Sequence, residues 1–491
     1  MTEHMRAQLE AMSLPATATI RQTMQTINRG GLGTAFLIDP ETRRFVGLVT
    51  DGDIRRALLQ GYGLESPVMT VPRPQPVTAR VGMSPEEISS LLSAPVRVVP
   101  LLDGEGRVVD LVAFDRRMRL PVAEPLLGEK ELLNVSECVL TGWVSSGGKF
   151  VTEFEEAFAE FCDTRFAVAC SSGTTALHLA LLALGVGDGD EVIVPTLTFI
   201  ATANAVTYTR ARPVFVDSEA ETWNIDPDLI AEAITPRTKA IIPVHLYGHP
   251  ANMDPLLAIA AKYGLAVIED AAEAHGARYK GRRVGGIGDI GVFSFYGNKI
   301  VTTGEGGMLV TNRADVAEKA RRLRDHGMSS EHRYWHTILG YNYRMTNIQA
   351  ALGVAQMEKI EAILDAKRRV AEVYRTGLTG IPGIQLPPQC EWAENVYWMF
   401  SVLVNEAEFG MSRDMLMHYL SRTGMETRPF FPPVHTQPIY NTGQALPVAE
   451  RLAQTGINLP SSVTMHASAV ERVCASIRAA HLGSQRSEKG G

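Results

Sequence analysis

The apolar and polar positions of this chain fall into two stretches of different texture. Near the start, GTAFLIDPETRRFVGLVTDGDIRRALL holds two short β-like runs, 33–38 and 45–50, joined by a polar turn. A helix-like segment follows, with Asp51 suited to an N-cap. About sixty residues later the pattern recurs as a run at 96–102, the turn DGEG, a run at 107–113 and then FDRRMRL. An internal repeat of this length predicts two halves packed on each other. The segment LPVAEPLLG (120–128) has no periodicity and reads as a linker. Beyond it, apolar runs at 166–169, 191–194, 213–216, 240–244 and 266–269 alternate with amphipathic stretches, among them SSGTTALHLALLALGV and the long helix candidate 364–378. Strand–helix alternation predicts an α/β fold with a mostly parallel sheet covered on both faces. A strand candidate at 397–404 and later helices predict a smaller α+β domain at the C-terminal end, followed by a polar tail, GSQRSEKGG, expected to fray. The expected division is therefore 1–122 for the repeat module, 123–133 for the linker, 134–378 for the large domain, 379–482 for the small one and 483–491 for the tail.

Composition narrows the function classes. The 491 residues are enough for about three domains. With 45% hydrophobic and 21% charged residues the chain is too apolar to be disordered. A net charge of −7 argues against broad nucleic-acid or anionic-membrane binding. No apolar run reaches the ~18–20 residues of a membrane span, and MTEHMRAQLEAMSL lacks the features of a signal peptide, so a cytoplasmic protein is expected. Five scattered cysteines without a CxxC, and twelve histidines without HExxH spacing, point to neither a disulfide framework nor a zinc site. GRRVGGIGDIG (281–291) is glycine-rich but does not turn a strand into a helix, so it fails as a dinucleotide fingerprint.

Three segments carry chemistry. SSGTTAL (171–177) follows a strand and opens a helix, where unpaired N–H groups make an anion cradle. VIEDAAEAHGA (267–277) runs an apolar strand into Glu269 and Asp270 at the sheet edge where ligands of open α/β sheets bind. GVFSFYGNKIVTTGEGG (291–307) brings Lys299 next to an apolar strand, where desolvation lowers an amine's pKa and prepares it to condense with a carbonyl. Ser294, five residues before it, has a hydroxyl suited to a phosphate. A phosphate cradle, an imine-forming lysine and a carboxylate for a pyridine nitrogen are together what pyridoxal 5'-phosphate requires.

With these motifs the chain resembles, over about residues 130–475, the DegT/DnrJ/EryC1/StrS sugar-nucleotide aminotransferases, which have the fold type I of pyridoxal-phosphate enzymes. The resemblance implies that Lys299 is the catalytic residue, bonded to the cofactor as an imine, and that Asp270 pairs with the pyridine nitrogen. It implies phosphate contacts from Gly173, Thr174 and Ser294, stacking by Phe199 (in PTLTFIATANA) and a place for Glu273 by the ring oxygen. Asn342, in DHGMSSEHRYWHTILGYNYRMTNIQAA, would reach the phosphate of a partner subunit, which implies a homodimer with shared active sites. Arg428 and His435, in TRPFFPPVHTQPIY, are the substrate-binding candidates. EDAAEAHGA, FSFYGNK and TTGEGG look most like the GDP-perosamine synthase branch, which aminates C4 of GDP-4-keto-6-deoxymannose with glutamate as donor, for surface polysaccharide such as O-antigen.

The front repeat resembles a tandem CBS pair, a module that often binds adenosyl nucleotides. Thr50 and Asp53 match the family's ribose contacts, whereas Ala113 and Arg116 occupy the corresponding positions of the second half. Two other readings compete with transamination. One is a pyridoxal-dependent sugar dehydratase, whose relatives have a histidine where this chain has Lys299; the other is a CBS-based nucleotide sensor.

Overall fold

The computed structural model describes residues 9–30, 32–83, 87–88, 91, 96, 98–113 and 120–489. The chain forms two compact units, divided between Arg119 and Leu120.

In the first unit, strands β1 (Ser13–Pro15), β2 (Thr34–Ile38) and β3 (Phe45–Thr50) form one small sheet, and β4 (Ala79–Arg80), β5 (Val98–Leu102) and β6 (Val108–Ala113) form another. The two share one plan: a parallel pair, then an antiparallel hairpin whose register shifts at Leu37/Ile38 in one half and Leu101/Leu102 in the other. Helix α1 (Ile20–Gly30) turns Ile20 and Ile27 into the core of the first half, alongside Leu37, Val49 and Ile54. Helix α2 (Asp51–Leu59) is capped by Thr50, one residue earlier than expected; Asp51 lies inside its first turn. Of the counterpart segment FDRRMRL (114–120), residues 114–119, Arg116 among them, lie outside the described residues.

The second unit starts with chain that belongs to it structurally. Leu120 bridges Met425, and the Val122 carbonyl accepts the Ser461 N–H. The expected linker gives way at Glu129 to helix α3 (Glu129–Thr141), followed by α4 (Lys149–Phe161). The central sheet has seven strands: β7 (Phe166–Cys170), β8 (Glu191–Pro195), β9 (Arg212–Val216), β10 (Thr238–Ile241), β11 (Ala266–Asp270), β12 (Ile290–Ser294) and β13 (Gly307–Thr311). Their order is β7-β13-β12-β11-β10-β8-β9, parallel except for β13, which runs against both neighbours. Successive side chains of a strand point to opposite faces. Accordingly Ala167 and Ala169 enter one buried cluster while Val168 and Cys170 enter the other, and Phe293 and Val292 divide likewise. A sheet buried on both faces needs apolar residues at nearly every strand position, which is why these strands read as unbroken runs.

Helix α5 (Gly173–Ala183) follows β7, and α6 (Ala201–Tyr208) follows β8. The long helix α7 (Ile360–Leu378) leads into an antiparallel sheet of β14 (Ile384–Gln385), β15 (Phe400–Val404), β16 (Arg428–Pro429) and β17 (Gly456–Leu459), ordered β14-β15-β17-β16. The last helix, α8 (Ala467–Lys489), continues through most of the polar segment expected to fray. Among the described residues, no helix is long and apolar enough to cross a membrane.

Candidate active site

The site is assembled at the C-terminal edge of the parallel strands, where the chain leaves the sheet and enters helices or loops. β7 ends at Cys170, and Ser172 caps α5. The Ser172 hydroxyl oxygen accepts the Thr175 N–H at 3.2 Å, while Thr175 Oγ1 accepts the Ser172 N–H at 3.0 Å. The N–H groups of Gly173 and Thr174 have no intrahelical acceptor and lie at the positive end of the helix dipole. Gly173 is required there: a Cβ would stand 2.9 Å from the Ser294 Cβ, so only glycine lets the helix terminus seat against the end of β12. Across the turn, a Cβ on Gly307 would stand 2.3 Å from the Ser172 carbonyl oxygen. Gly173, Thr174 and Ser294 are thus brought together around small residues, forming a cradle of donors.

Two carboxylates and one amine face this edge. Asp270, the last residue of β11, is buried; its Oδ2 accepts the Thr202 hydroxyl at 2.8 Å and its Oδ1 the Ala272 N–H at 3.2 Å. Burial raises its pKa, against the opposing pull of the Thr202 bond and of the Lys299 charge. Glu273 is buried too, and burial pushes its carboxyl up to about 7. It accepts the Tyr247 N–H at 2.8 Å. Tyr247 holds φ at 54°, a left-handed conformation strained for a non-glycine residue, which presents this N–H to the carboxylate. Lys299 points inward, its side chain 11% exposed, with Nζ 3.7 Å from Glu273 Oε1 and 3.6 Å from the centroid of the Trp398 ring. Burial lowers its pKa, opposed by Glu273 and Asp270. An amine made easier to deprotonate, between carboxylates made harder to ionise, is the kind of perturbation that marks reactive sites.

The other sequence candidates divide. Phe199 is 55% exposed at the mouth of the same edge, its ring 5.6 Å from Phe431. It precedes the helix that supplies Thr202. Asn342 is exposed, on a segment that bridges Asp325; the next residue, Tyr343, accepts the Ser171 N–H beside the cradle at 2.8 Å. Arg428 is exposed on β16 and pairs with Glu426 at 3.2 Å. His435 does not suit the expected substrate contact. It is buried, with Nδ1 2.6 Å from Thr196 Oγ1 and Nε2 3.2 Å from Glu450 Oε1, so neither ring nitrogen is free for a sugar. In the first unit, Thr50 and Asp53 face each other in a capping box.

Sequence reading missed Thr202, Tyr247 and Trp398. Thr202 lies three residues after Phe199 in PTLTFIATANA, and its small side chain carries no chemical signal of its own. Tyr247 and Trp398 lie far from the motifs in sequence and meet them only through tertiary packing.

The donor set fits pyridoxal phosphate: an anion cradle at α5, an amine of lowered pKa at 299 and a carboxylate at the end of β11. Comparison with known proteins agrees. Residues 125–478 match the model of the DegT/DnrJ/EryC1/StrS aminotransferase family, and residues 4–60 match the CBS domain. The chain is 48% identical over 362 residues to the GDP-perosamine synthase of Caulobacter vibrioides, covering 73% of this chain and 97% of the relative. It is 46% identical over 359 residues to that of Escherichia coli O157:H7, again covering 73% and 97%. Among solved structures it resembles DesV of S. venezuelae (39% identity, TM-score 0.67, 72% of this chain and 94% of the other). It also resembles DesI, solved with its TDP-sugar product (33% identity, TM-score 0.71, 77% and 96%). The chain belongs to the DegT/DnrJ/EryC1/StrS aminotransferase family, whose cofactor is pyridoxal phosphate, and it has a CBS-domain match in front of the catalytic fold.

Proposed function

We propose that this chain is a pyridoxal-phosphate-dependent sugar-nucleotide transaminase. In this reading it aminates a nucleotide-linked 4-keto-6-deoxy sugar, with GDP-4-keto-6-deoxymannose the best-matched candidate, and takes nitrogen from glutamate. The observation that supports it most is the inward-facing Lys299, set 3.7 Å from a buried carboxylate on the same sheet edge as Asp270. The named relatives supply the sugar class.

When bound, the cofactor supplies an electron sink for the pair released as a C–H bond next to nitrogen breaks. The chain's own groups do the rest. The N–H groups of Gly173 and Thr174, with the Ser294 hydroxyl, hold the phosphate. Asp270, ionised, accepts a charge-assisted bond from the protonated ring nitrogen. Phe199 would stack on one ring face. Lys299 Nζ would take the proton from the substrate carbon as general base and return it as general acid. Its lowered pKa leaves more of it unprotonated near neutrality. Glu273, with Oε1 3.7 Å from Nζ, would balance part of the charge that Lys299 gains and would lie by the ring oxygen. Arg428 is the candidate for the nucleotide's phosphates. The chain acts as a homodimer in which Asn342 reaches the partner's phosphate site.

For the front unit the reading is narrower. Thr50 and Asp53 are the candidates for a nucleotide's ribose, and its hydroxyls would compete with their mutual hydrogen bonds.

The test is spectroscopic. Purified protein loaded with the cofactor develops a visible absorption band that glutamate discharges and a 4-keto sugar nucleotide restores. Lys299→Ala loses the band and at least about a thousandfold in turnover. A Lys299→Ala variant that turns over normally ends this reading.

A further inference from the structure

Lys367 is a buried lysine that the mechanism does not use. It lies on α7, and its Nζ donates to two backbone carbonyls, Trp398 O at 2.9 Å and Ser461 O at 2.5 Å. Among the described residues no carboxylate bonds to it, and burial lowers its pKa to about 7. An ammonium in such a place costs stability compared with an apolar side chain of the same volume. Its presence calls for a duty other than holding the fold together.

The geometry supplies one. Tyr374, on the same buried face of α7, donates its hydroxyl to Pro460 O at 2.6 Å, and the Ser461 hydroxyl oxygen accepts the Phe400 N–H at 3.2 Å. These bonds tie the backbone from Trp398 to Phe400 to residues 460–461 and to α7. The residue just before it, Tyr397, holds φ at 49°, a strained conformation that surrounding contacts must maintain. From that backbone the indole reaches the catalytic loop twice. Its Nε1–H donates to Asn298 O at 2.8 Å, and its face lies 3.6 Å from Lys299 Nζ.

We propose that Lys367 and Trp398 are a positioning pair for Lys299: the N–H donors of the buried Lys367 fix the Trp398 backbone, and the indole in turn holds both the loop at Asn298 and the amine at its tip. The pair links the helix leading into the small domain to the reacting amine of the large one. This rests on the reading of Lys299 as the cofactor-bearing amine, but it concerns only groups of this chain.

The test therefore uses cofactor-free protein and stands apart from the absorbance test above. Lys299 is pulse-labelled with acetic anhydride across a pH series and quantified by peptide mass spectrometry. The charged groups facing it are Glu273 and Asp270, and the His275 ring nearby is kept neutral by burial; none of these is altered by the variants. A cation over an aromatic face is held in its charged form. Trp398→Phe weakens that face and removes the N–H donor, so the labelling midpoint of Lys299 falls by about half a unit. Lys367→Met moves the midpoint in the same direction, and the double variant moves it no further than the larger single change, as expected for groups acting in one chain. Lys367→Arg, which keeps N–H donors at this position, returns the midpoint at least part of the way to the parent's. An unchanged profile in Trp398→Phe overturns the proposal whatever the Lys367 variants do. A normal profile in a folded Lys367→Met reduces Lys367 to a structural residue and also overturns it. If Lys367→Met does not fold, Lys367→Gln takes its place; failure of both to fold counts against the proposal, which gives Lys367 a local duty rather than a global one.

Discussion

Asp270 and Asp53 are both buried carboxylates close to where a strand gives way to a turn or helix, and both were singled out from short motifs. Their surroundings differ. Asp53 is complete within its own turn: Oδ2 accepts the Thr50 N–H at 2.9 Å and the Thr50 hydroxyl at 2.7 Å, while Oδ1 is paired with Arg56. Asp270 has one hydroxyl and one backbone N–H, and its burial outweighs them. The nearby amine, Lys299, has Glu273 as its direct ionic partner. One aspartate closes a local structure; the other is held above the usual carboxylate range by burial, which outweighs the Thr202 bond and the Lys299 charge. On the proposed reading, that difference is what a cationic ring nitrogen at Asp270 would answer and what the turn at Asp53 does not call for.

The largest way to test the contrast is to remove the charge at Asp270. Asp270→Asn keeps the shape and the Thr202 contact but presents no charge to a ring nitrogen. We expect a loss of at least about a hundredfold in transamination, together with weaker cofactor retention in dialysis. Near-normal turnover in this variant would make Asp270 as self-contained as Asp53.

Glu273 gives a smaller effect with a definite sign. Its carboxyl lies near 7 in the folded chain, against 4.5 for an unburied glutamate. Between those values the folded protein holds a proton that the unfolded chain has released. Stability contributed by this group therefore falls as pH rises through that window. Glu273→Gln has no proton to lose, so its melting temperature should decline less than the parent's between pH 5 and pH 7. Parallel melting curves for the two proteins would contradict the assignment.

What could be read ahead of the structure follows the same division. The parallel strands were legible because burial on both faces demands unbroken apolar runs, and β8 and β11 were each found to within one residue. The antiparallel β13 was not singled out: GMLVT follows a glycine-rich turn, and nothing in its own residues says that it runs backwards between β7 and β12. Helix α3 was read partly as linker, because the prolines of LPVAEPLLG break periodicity just ahead of it. At the site, Lys299, Asp270 and the α5 cradle were visible because their residue types are chemically scarce at strand ends. Trp398 and Tyr247 were not, since an aromatic residue is compatible with any core. His435 shows the opposite error: a histidine in a proline-rich loop reads as a substrate contact, yet Thr196 and Glu450 occupy both of its nitrogens.

The smallest expected effect lies in the front unit and can undo the comparison from its other side. Thr50 Oγ1 accepts the Asp53 N–H at 3.2 Å and donates to Asp53 Oδ2, so Thr50→Ala removes one half of the capping box and leaves Asp53 with only the Thr50 N–H and Arg56. Losing an N-cap hydroxyl costs about 1 kcal/mol. The expected result is a modest fall in the front unit's melting transition, the same in buffer and in millimolar adenosine nucleotide. If nucleotide instead raises the parent's transition and Thr50→Ala abolishes that rise, the turn is serving a ligand. The hydrogen bonds between Thr50 and Asp53 would then be what a ribose displaces, and a closed turn would be a ligand site waiting in its unliganded form.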